Sequence, residues 1–168
     1  YIACDSQEDT VTGIFMNQFA KILEKDSKGR IKVNTYPNSQ LGSDTEIIEA
    51  VQNGNITFTV GTSAPQVSFV PQAAIFDAPM AFKNLKIARE VLDGPLTEKL
   101  KKYYEDKDFY LLAVADQGFR VMSSNKDINE IKDFKGIKIR TMENKNHIGF
   151  WKSVGANPTP MALSLIHI

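Results

Sequence analysis

The sequence predicts an α/β fold in which helices cover a parallel or mostly parallel sheet. Three observations support this prediction. Segments with a period of two alternate with segments of helical period along residues 1–62, in the order β, α, β, α, β. A capping-box sequence at residues 43–46 marks the start of a helix. A nearly continuous apolar run at residues 109–115 has the length and composition of a buried strand.

The elements of the first part follow in chain order. Residues 1–4 predict the end of a strand, and residues 10–25 predict an amphipathic helix. The predicted buried face of that helix consists of Phe15, Phe19, Ile22 and Leu23. Strands are predicted at 31–35 and 56–60, on either side of the helix that starts at the capping box.

The second part is predicted to begin with a connection and to continue with a second set of elements. Residues 67–82 are rich in proline and aromatic side chains, which is typical of a packed connection. The remaining predicted elements are helices at 85–92 and 96–104, a strand at 109–115, a domain hinge at 116–118, strands at 119–123 and 137–140, a helix at 146–154 and an extended segment at 157–161.

The composition excludes several classes of function. Hydrophobic residues make up 42% and charged residues 24% of the chain, which is ordinary for a globular protein. With 20 basic and 20 acidic side chains, the net charge gives no support for binding nucleic acid or an anionic membrane surface. Cys4 is the single cysteine, and His147 and His167 are not at metal-ligand spacing. No phosphate-loop or nucleophile motif occurs, so we expect no cofactor and no metal site.

Two arginines, Arg120 and Arg140, lie on the predicted strands at 119–123 and 137–140. A guanidinium stays charged at any working pH and presents a rigid fork of donors. Two such groups on adjacent strands would form a docking point for a carboxylate or a phosphate. Surface salt bridges are the alternative explanation for both arginines.

Three polar residues follow a predicted strand or open a predicted helix: Asp5, Asp44 and Thr62. Ligands of open parallel sheets bind beyond the carboxyl ends of the strands, so these residues are candidates for a binding cleft. Helix capping alone is the alternative explanation for Asp44.

Six stretches taken together resemble the substrate-binding proteins of tripartite ATP-independent periplasmic (TRAP) transporters, the DctP-type family. They occur in the family's order and spacing over nearly the whole chain. The stretches are GRIKV at 29–33, YPNSQLG at 36–42, FDAP at 76–79, GFRVMSSN at 118–125, FKGIKIR at 134–140 and GANPTPM at 155–161.

The resemblance implies a periplasmic-binding-protein-like, two-lobe α/β architecture in which hinge strands join the lobes and the ligand binds in the cleft. Residues 1–116 would form the first lobe, which is largely complete. Residues 117–168 would form the start of the second lobe, which is partial. On this basis the chain corresponds to about the N-terminal half of a family member.

The resemblance also implies roles for individual residues. Arg140 would pair with the carboxylate of the ligand, and Arg120 would support it. Asp5, Asp44 and Thr62 would line the first lobe, and Leu163 would pack against the ligand. Thr62 is neutral where sialic-acid binders of the family carry a glutamate, which disfavours sialic acid.

The sequence departs from the family pattern at two places. Residues 141–144 read Thr-Met-Glu-Asn where many members have Val-Pro, which affects how the next helix starts. Residues 164–168 do not continue as the family's Ser-Glu followed by a helix. We therefore interpret the chain as a fragment with an atypical end.

The resemblance implies a solute-binding receptor, and not an enzyme, that captures an organic acid and delivers it to membrane permease subunits of a TRAP transporter. We expect a periplasmic location, or export with membrane association, although no signal peptide is visible in this chain. A ligand-binding sensory module remains an alternative, as does a small α/β enzyme acting on an anionic substrate through Asp5, Asp44 or His147. Dicarboxylates, uronates and oxo acids all remain open as ligands.

Overall fold

A computed structural model describes residues 1–166 of the chain. The backbone forms two compact units, one consisting of residues 1–66 with the segment that begins at Ala162, the other consisting of Val67–Met161. The predicted lobe boundary after residue 116 stays a prediction. His167 and Ile168, which end the atypical tail, lie outside the described residues.

The first unit contains a three-stranded parallel sheet. Its strands are β1 (Ile2–Ala3), β2 (Thr35–Tyr36) and β3 (Phe58–Thr59), and its helices are α1 (Val11–Asp26), α2 (Asp44–Gln52) and α3 (Ser63–Gln66). The strand order is β2-β1-β3, and β1 pairs in parallel with both neighbours. Since α1 connects β1 to β2 and α2 connects β2 to β3, the predicted α/β alternation is confirmed.

The packed face of α1 agrees with the predicted one only in part. Phe19 packs against the buried cluster of Ile2, Cys4 and Met16, as predicted. Phe15 and Ile22 are 44% and 56% exposed, so their assignment to the buried face was wrong. The buried residues of the helix are Thr12, Gly13, Met16 and Ala20. A Cβ atom on Gly13 would lie 2.2 Å from the carbonyl oxygen of Gln7. Gly13 therefore faces the preceding loop, whose backbone approaches too closely for a side chain at this position.

The capping box at the start of α2 is confirmed. The hydroxyl of Ser43 accepts a hydrogen bond from the backbone N–H of Glu46, and Glu46 Oε2 accepts one from the backbone N–H of Ser43 at 2.7 Å. These bonds satisfy two of the donors that a helix start leaves without intrahelical partners. They also fix where α2 begins relative to β2.

We expect Ser43→Ala to destabilise the chain by about 1 kcal/mol, the usual cost of losing an N-cap hydroxyl. Hydrogen bonds from the backbone and side chain of Ser43 lower the pKa of Glu46. A carboxyl group with a lowered pKa stabilises the fold when the pH is above the pKa of the unfolded state. This contribution is lost as the pH falls through the pKa of the folded state. Urea denaturation should therefore show that the difference in unfolding free energy between wild type and Ser43→Ala is smaller at acidic pH than at neutral pH.

The second unit combines helices with a separate pair of strands. Its elements are a 3-10 helix at Pro71–Asp77, α4 (Leu85–Leu92), α5 (Pro95–Glu105), a 3-10 turn at Ile131–Phe134, β4 (Lys138–Thr141), α6 (Lys145–Ser153) and β5 (Asn157–Pro160). Strands β4 and β5 are parallel and pair from Lys138 with Asn157 to Thr141 with Pro160. A β4-α6-β5 unit therefore carries Arg140 on its first strand.

The predicted strands at 109–115 and 119–123 were wrong. Residues 109–124 form no strand ladder with any other part of residues 1–166. Phe109 and Leu111 pack against an apolar cluster, but Tyr110 and Val121 are 76% and 87% exposed. Apolar patterning supplies a face for burial, whereas a strand also needs a neighbouring backbone to bond to.

Within residues 1–166, no helix combines the length and apolarity needed to cross a membrane.

Candidate functional site

Arg140 lies near the carboxyl end of β4 and is half-buried. Its Nε and Nη2 atoms both donate to the carbonyl oxygen of Met161, at 2.9 and 2.7 Å. The backbone N–H of Met161 in turn donates to the carbonyl of Thr141 at 3.0 Å. The guanidinium is thus held across the β4–β5 pair through one of its edges, which fixes a positive charge at the strand end.

Arg120 is exposed and lies on the segment that forms no strand. Its Nη1 atom lies 3.5 Å from the thioether sulfur of Met142, which is a weak acceptor. Since Met142 follows β4 immediately after Thr141, this contact brings Arg120 to the same strand end as Arg140. Arg120 therefore contacts the residue that directly follows the strand of Arg140, although the two arginines do not lie on paired strands.

Asp5 and Asp44 lie at the carboxyl end of the sheet in the first unit. Asp5 follows β1, is 9% exposed, and accepts a hydrogen bond from the hydroxyl of Ser6 at 2.8 Å. Asp44 is the first residue of α2, and the N-cap is Ser43, so capping does not account for Asp44. A Cβ on Gly61 would lie 3.3 Å from Asp44 Oδ1, which shows that this carboxylate reaches the loop after β3.

The pKa of the Cys4 thiol depends on the charges around this strand end. Burial is the largest cause that raises the pKa of Cys4, and the negative charges of Asp5 and Asp44 raise it further. A backbone hydrogen bond to Ser6 partly offsets these effects. Because the thiolate is the reactive form, this buried thiol is poorly suited to nucleophilic chemistry.

Thr62 and Leu163 complete the set of predicted site residues. Thr62 is half-buried between β3 and α3, and its carbonyl oxygen accepts a hydrogen bond from Gln66 Nε2 at 3.0 Å. Leu163 begins a one-turn 3-10 helix at Leu163–Leu165 and is 36% exposed. The roles of all six residues toward a ligand stay predictions.

The sequence reasoning assigned no role to Asp77, although it lies in the FDAP stretch. The side chain of Asp77 is 2% exposed and contacts Asn144 and His147, both at the start of α6. A single acidic residue in a stretch rich in proline and aromatics was the signal that could have identified it. His147 is bonded through Nε2 to this buried carboxylate, and its side chain is 11% exposed.

Thr141 carries a buried hydroxyl beside Arg140. The residue is 5% exposed, and its Oγ1 has no hydrogen-bond partner among the described residues. We expect Thr141→Val to leave the fold intact and to stabilise it by about 1 kcal/mol, because a buried polar group without a partner is costly and the shapes match. A thermal melt compared with wild type measures this change. A loss of stability would show that the hydroxyl bonds to a group in the native protein.

A shallow depression of about 440 Å³ lies in the second unit, away from the arginines. It is lined by the α4–α5 junction and by residues 112–114, and none of the predicted site residues contributes to it. Across residues 1–166, no group of three or more His, Cys, Asp or Glu side chains could hold a metal ion.

Comparison with known proteins identifies the relatives of this chain. Residues 3–167 match the family described as DctP, bacterial extracellular solute-binding protein, family 7. A solute-binding protein of Verminephrobacter eiseniae is 42% identical over 97% of this chain and 49% of its own length. The C4-dicarboxylate-binding periplasmic protein DctP of Rhodobacter capsulatus is 32% identical over 95% of this chain and 48% of its own length.

Solved structures give the same result. The TRAP periplasmic solute-binding protein of Polaromonas sp. JS666, bound to D-erythronate, is 36% identical with a TM-score of 0.93, covering 98% of this chain and 55% of that one. A TRAP periplasmic solute-binding protein of Sulfurospirillum deleyianum with bound succinate is 32% identical with a TM-score of 0.92, covering 99% and 54%. The chain spans about half the length of the curated relatives it matches. It has the α/β fold of these receptors and belongs to the DctP family of bacterial extracellular solute-binding proteins.

Proposed function

We propose that this chain is part of a TRAP-transporter receptor that captures an organic acid by its carboxylate and delivers it to membrane permease subunits. The observation that carries the proposal is the guanidinium of Arg140, held at the end of β4 by its two hydrogen bonds to Met161. The family match supports the receptor class.

Arg140 would bind the carboxylate through its guanidinium, whose Nε and Nη2 atoms donate to the Met161 carbonyl. This anchor would preserve the orientation of the group when the ligand binds. Each charge-assisted hydrogen bond contributes on the order of 1.5–3 kcal/mol.

The other predicted residues would act on the rest of the ligand. Arg120 would add positive charge near the carboxylate, and its exposure leaves it able to adjust to the ligand. Asp5, Asp44 and Thr62 would accept hydrogen bonds from hydroxyl groups on the ligand body. Leu163 would contribute apolar contact.

A binding role is consistent with the state of the Cys4 thiol, which is buried and has a raised pKa. A receptor makes and breaks no covalent bond, so it needs no reactive thiol. The periplasmic relatives support a periplasmic location for this protein as well.

Calorimetric titration with D-erythronate, D-galacturonate and succinate tests this proposal. Solved relatives carry these three ligands, which represent a sugar acid, a uronate and a dicarboxylate. The titrations use both the 168-residue chain and the full product of its gene, with N-acetylneuraminate as the ligand that Thr62 disfavours. We expect at least one of the three acids to bind the full product without turnover. Failure of every acid to bind, or conversion of any acid to a product, would contradict the proposal.

A further inference from the structure

Asp77 is a buried carboxylate at the end of the 3-10 helix Pro71–Asp77. Its Oδ2 accepts a hydrogen bond from Asn144 Nδ2 at 2.8 Å, and its Oδ1 lies 3.1 Å from His147 Nε2. Burying a carboxylate is costly unless its oxygens have partners, and here each oxygen has one. The two contacts tie the 3-10 helix to the first turn of α6.

Asn144 is the N-cap of α6 and is 2% exposed. Its Oδ1 accepts from the backbone N–H groups of Asn146 and His147 at 2.8 and 3.1 Å, while its Nδ2 donates to Asp77. Its own backbone N–H donates to the carbonyl of Met142 at 2.8 Å. The side chain therefore caps the helix with one end and fixes the helix start to Asp77 with the other.

The turn that follows β4 connects this cluster to the arginines. Residues 141–143 separate Arg140 from Asn144, and Met142 in that turn contacts Arg120. The turn contains no proline, so none of its residues has the fixed φ angle that a proline would impose. Its position depends instead on where α6 begins, which Asn144 and Asp77 determine.

We propose that Asp77 is a positioning residue for carboxylate binding: through Asn144 and His147 it fixes the turn after β4, and with it the guanidinium of Arg140. This inference rests on the proposed function, because it assigns Asp77 an effect on the affinity of the same arginine. Asp77 would affect binding without touching the ligand itself.

Two variants of the full gene product remove the link in different ways. Asp77→Ala deletes the carboxylate, whereas Asn144→Ser keeps an N-cap hydroxyl but is too short to hold the bond to Asp77. For both we expect about tenfold weaker calorimetric affinity for D-erythronate, D-galacturonate or succinate, whichever binds wild type. We also expect faster amide hydrogen exchange over residues 140–148.

Two further variants are the matched controls. Asp77→Asn keeps the shape, accepts from Asn144 through its oxygen and can donate to His147 through its nitrogen. We expect it to restore affinity to within about threefold of wild type. Asn84→Ala removes the N-cap side chain of α4, which accepts from the backbone N–H of Ile87 at 3.0 Å, in the same unit but away from the cluster. It should lower the melting temperature without changing the affinity.

The affinities decide between positioning and a purely structural role. If Asp77→Ala and Asn144→Ser lower the melting temperature but bind as Asn84→Ala does, the positioning role is wrong and the proposed function stands. In an Arg140→Lys background, Asp77→Ala should weaken the affinity by less than about a further twofold, because both changes act on one contact. A full additional tenfold loss there would also contradict positioning. An unchanged affinity in Arg140→Ala alone would instead contradict the proposed function.

Discussion

Replacing Arg140 by alanine is expected to weaken organic-acid binding roughly a hundredfold or more, since two charge-assisted hydrogen bonds are lost at about 1.5–3 kcal/mol each. Calorimetry on the full gene product measures this loss. Arg140→Lys keeps the charge but not the planar fork, so it should retain only part of the affinity. Arg120→Ala should cost less, because its described contact is a weak one to sulfur.

Arg89 provides the matched control for charge. It lies on α4 and forms a bidentate ion pair with Asp116, with Nε–Oδ1 and Nη2–Oδ2 distances of 2.8 and 3.0 Å. Arg89→Ala removes the same charge and should leave the affinity unchanged. Equal losses in Arg89→Ala and Arg140→Ala would mean that net charge, and not a specific contact, controls binding. Thermal melts of each variant confirm that the fold is retained.

Gly13→Ala is expected to destabilise the chain by about 3 kcal/mol, because the new methyl group would meet backbone and not a side chain that can move aside. Its Cβ would lie 2.2 Å from the Gln7 carbonyl oxygen and 2.7 Å from Glu8 Cα. For a chain of this size the melting temperature should fall by roughly 6–12 °C. The measurement is a thermal melt followed by circular dichroism.

Gly149→Ala is the matched control for this change. Gly149 lies inside α6, and a Cβ built on it meets nothing within 4 Å. Alanine should therefore stabilise the helix by about 0.5–1 kcal/mol, the ordinary difference between these residues in a helix. If Gly13→Ala raises the melting temperature as Gly149→Ala does, the close approach between α1 and residues 7–8 is not present in solution.

Local signals in the sequence were sufficient for most helices. The capping box at residues 43–46 gave the start of α2, and the periodicity at 85–92 gave both ends of α4. These features depend on neighbours a few positions apart, so they can be read directly. The buried face of α1 could not be predicted, because a helix rich in apolar residues does not reveal which side meets a tight loop. Gly13 indicates that side only once the position of Gln7 is known.

The strands show where local patterns are insufficient. Residues 109–115 are apolar enough for a buried strand, yet Tyr110 is 76% exposed and no ladder forms among the described residues. A strand depends on a partner that is distant in sequence, and apolar composition does not identify one. In contrast, the strand predicted at 137–140 matches β4 within one residue at each end, and β5 lies in the segment predicted at 157–161 as extended.

The candidate site was partly accessible from the sequence. The two arginines stood out because they are fixed charges on short apolar segments. Arg140 lies on β4, and Arg120 contacts Met142, which directly follows that strand. Asp77 was not identified, because its partners Asn144 and His147 lie 67 and 70 positions away. A contact between an isolated acid and a distant helix cap leaves no pattern along the chain.

A crystal structure of the full gene product with a bound organic acid tests the central claim most directly. The account predicts that the ligand carboxylate lies within about 3 Å of the guanidinium of Arg140 and that Arg140 keeps its bond to the Met161 carbonyl. A structure in which the carboxylate is bound by other residues, while Arg140 and Arg120 are both surrounded by solvent, would contradict it.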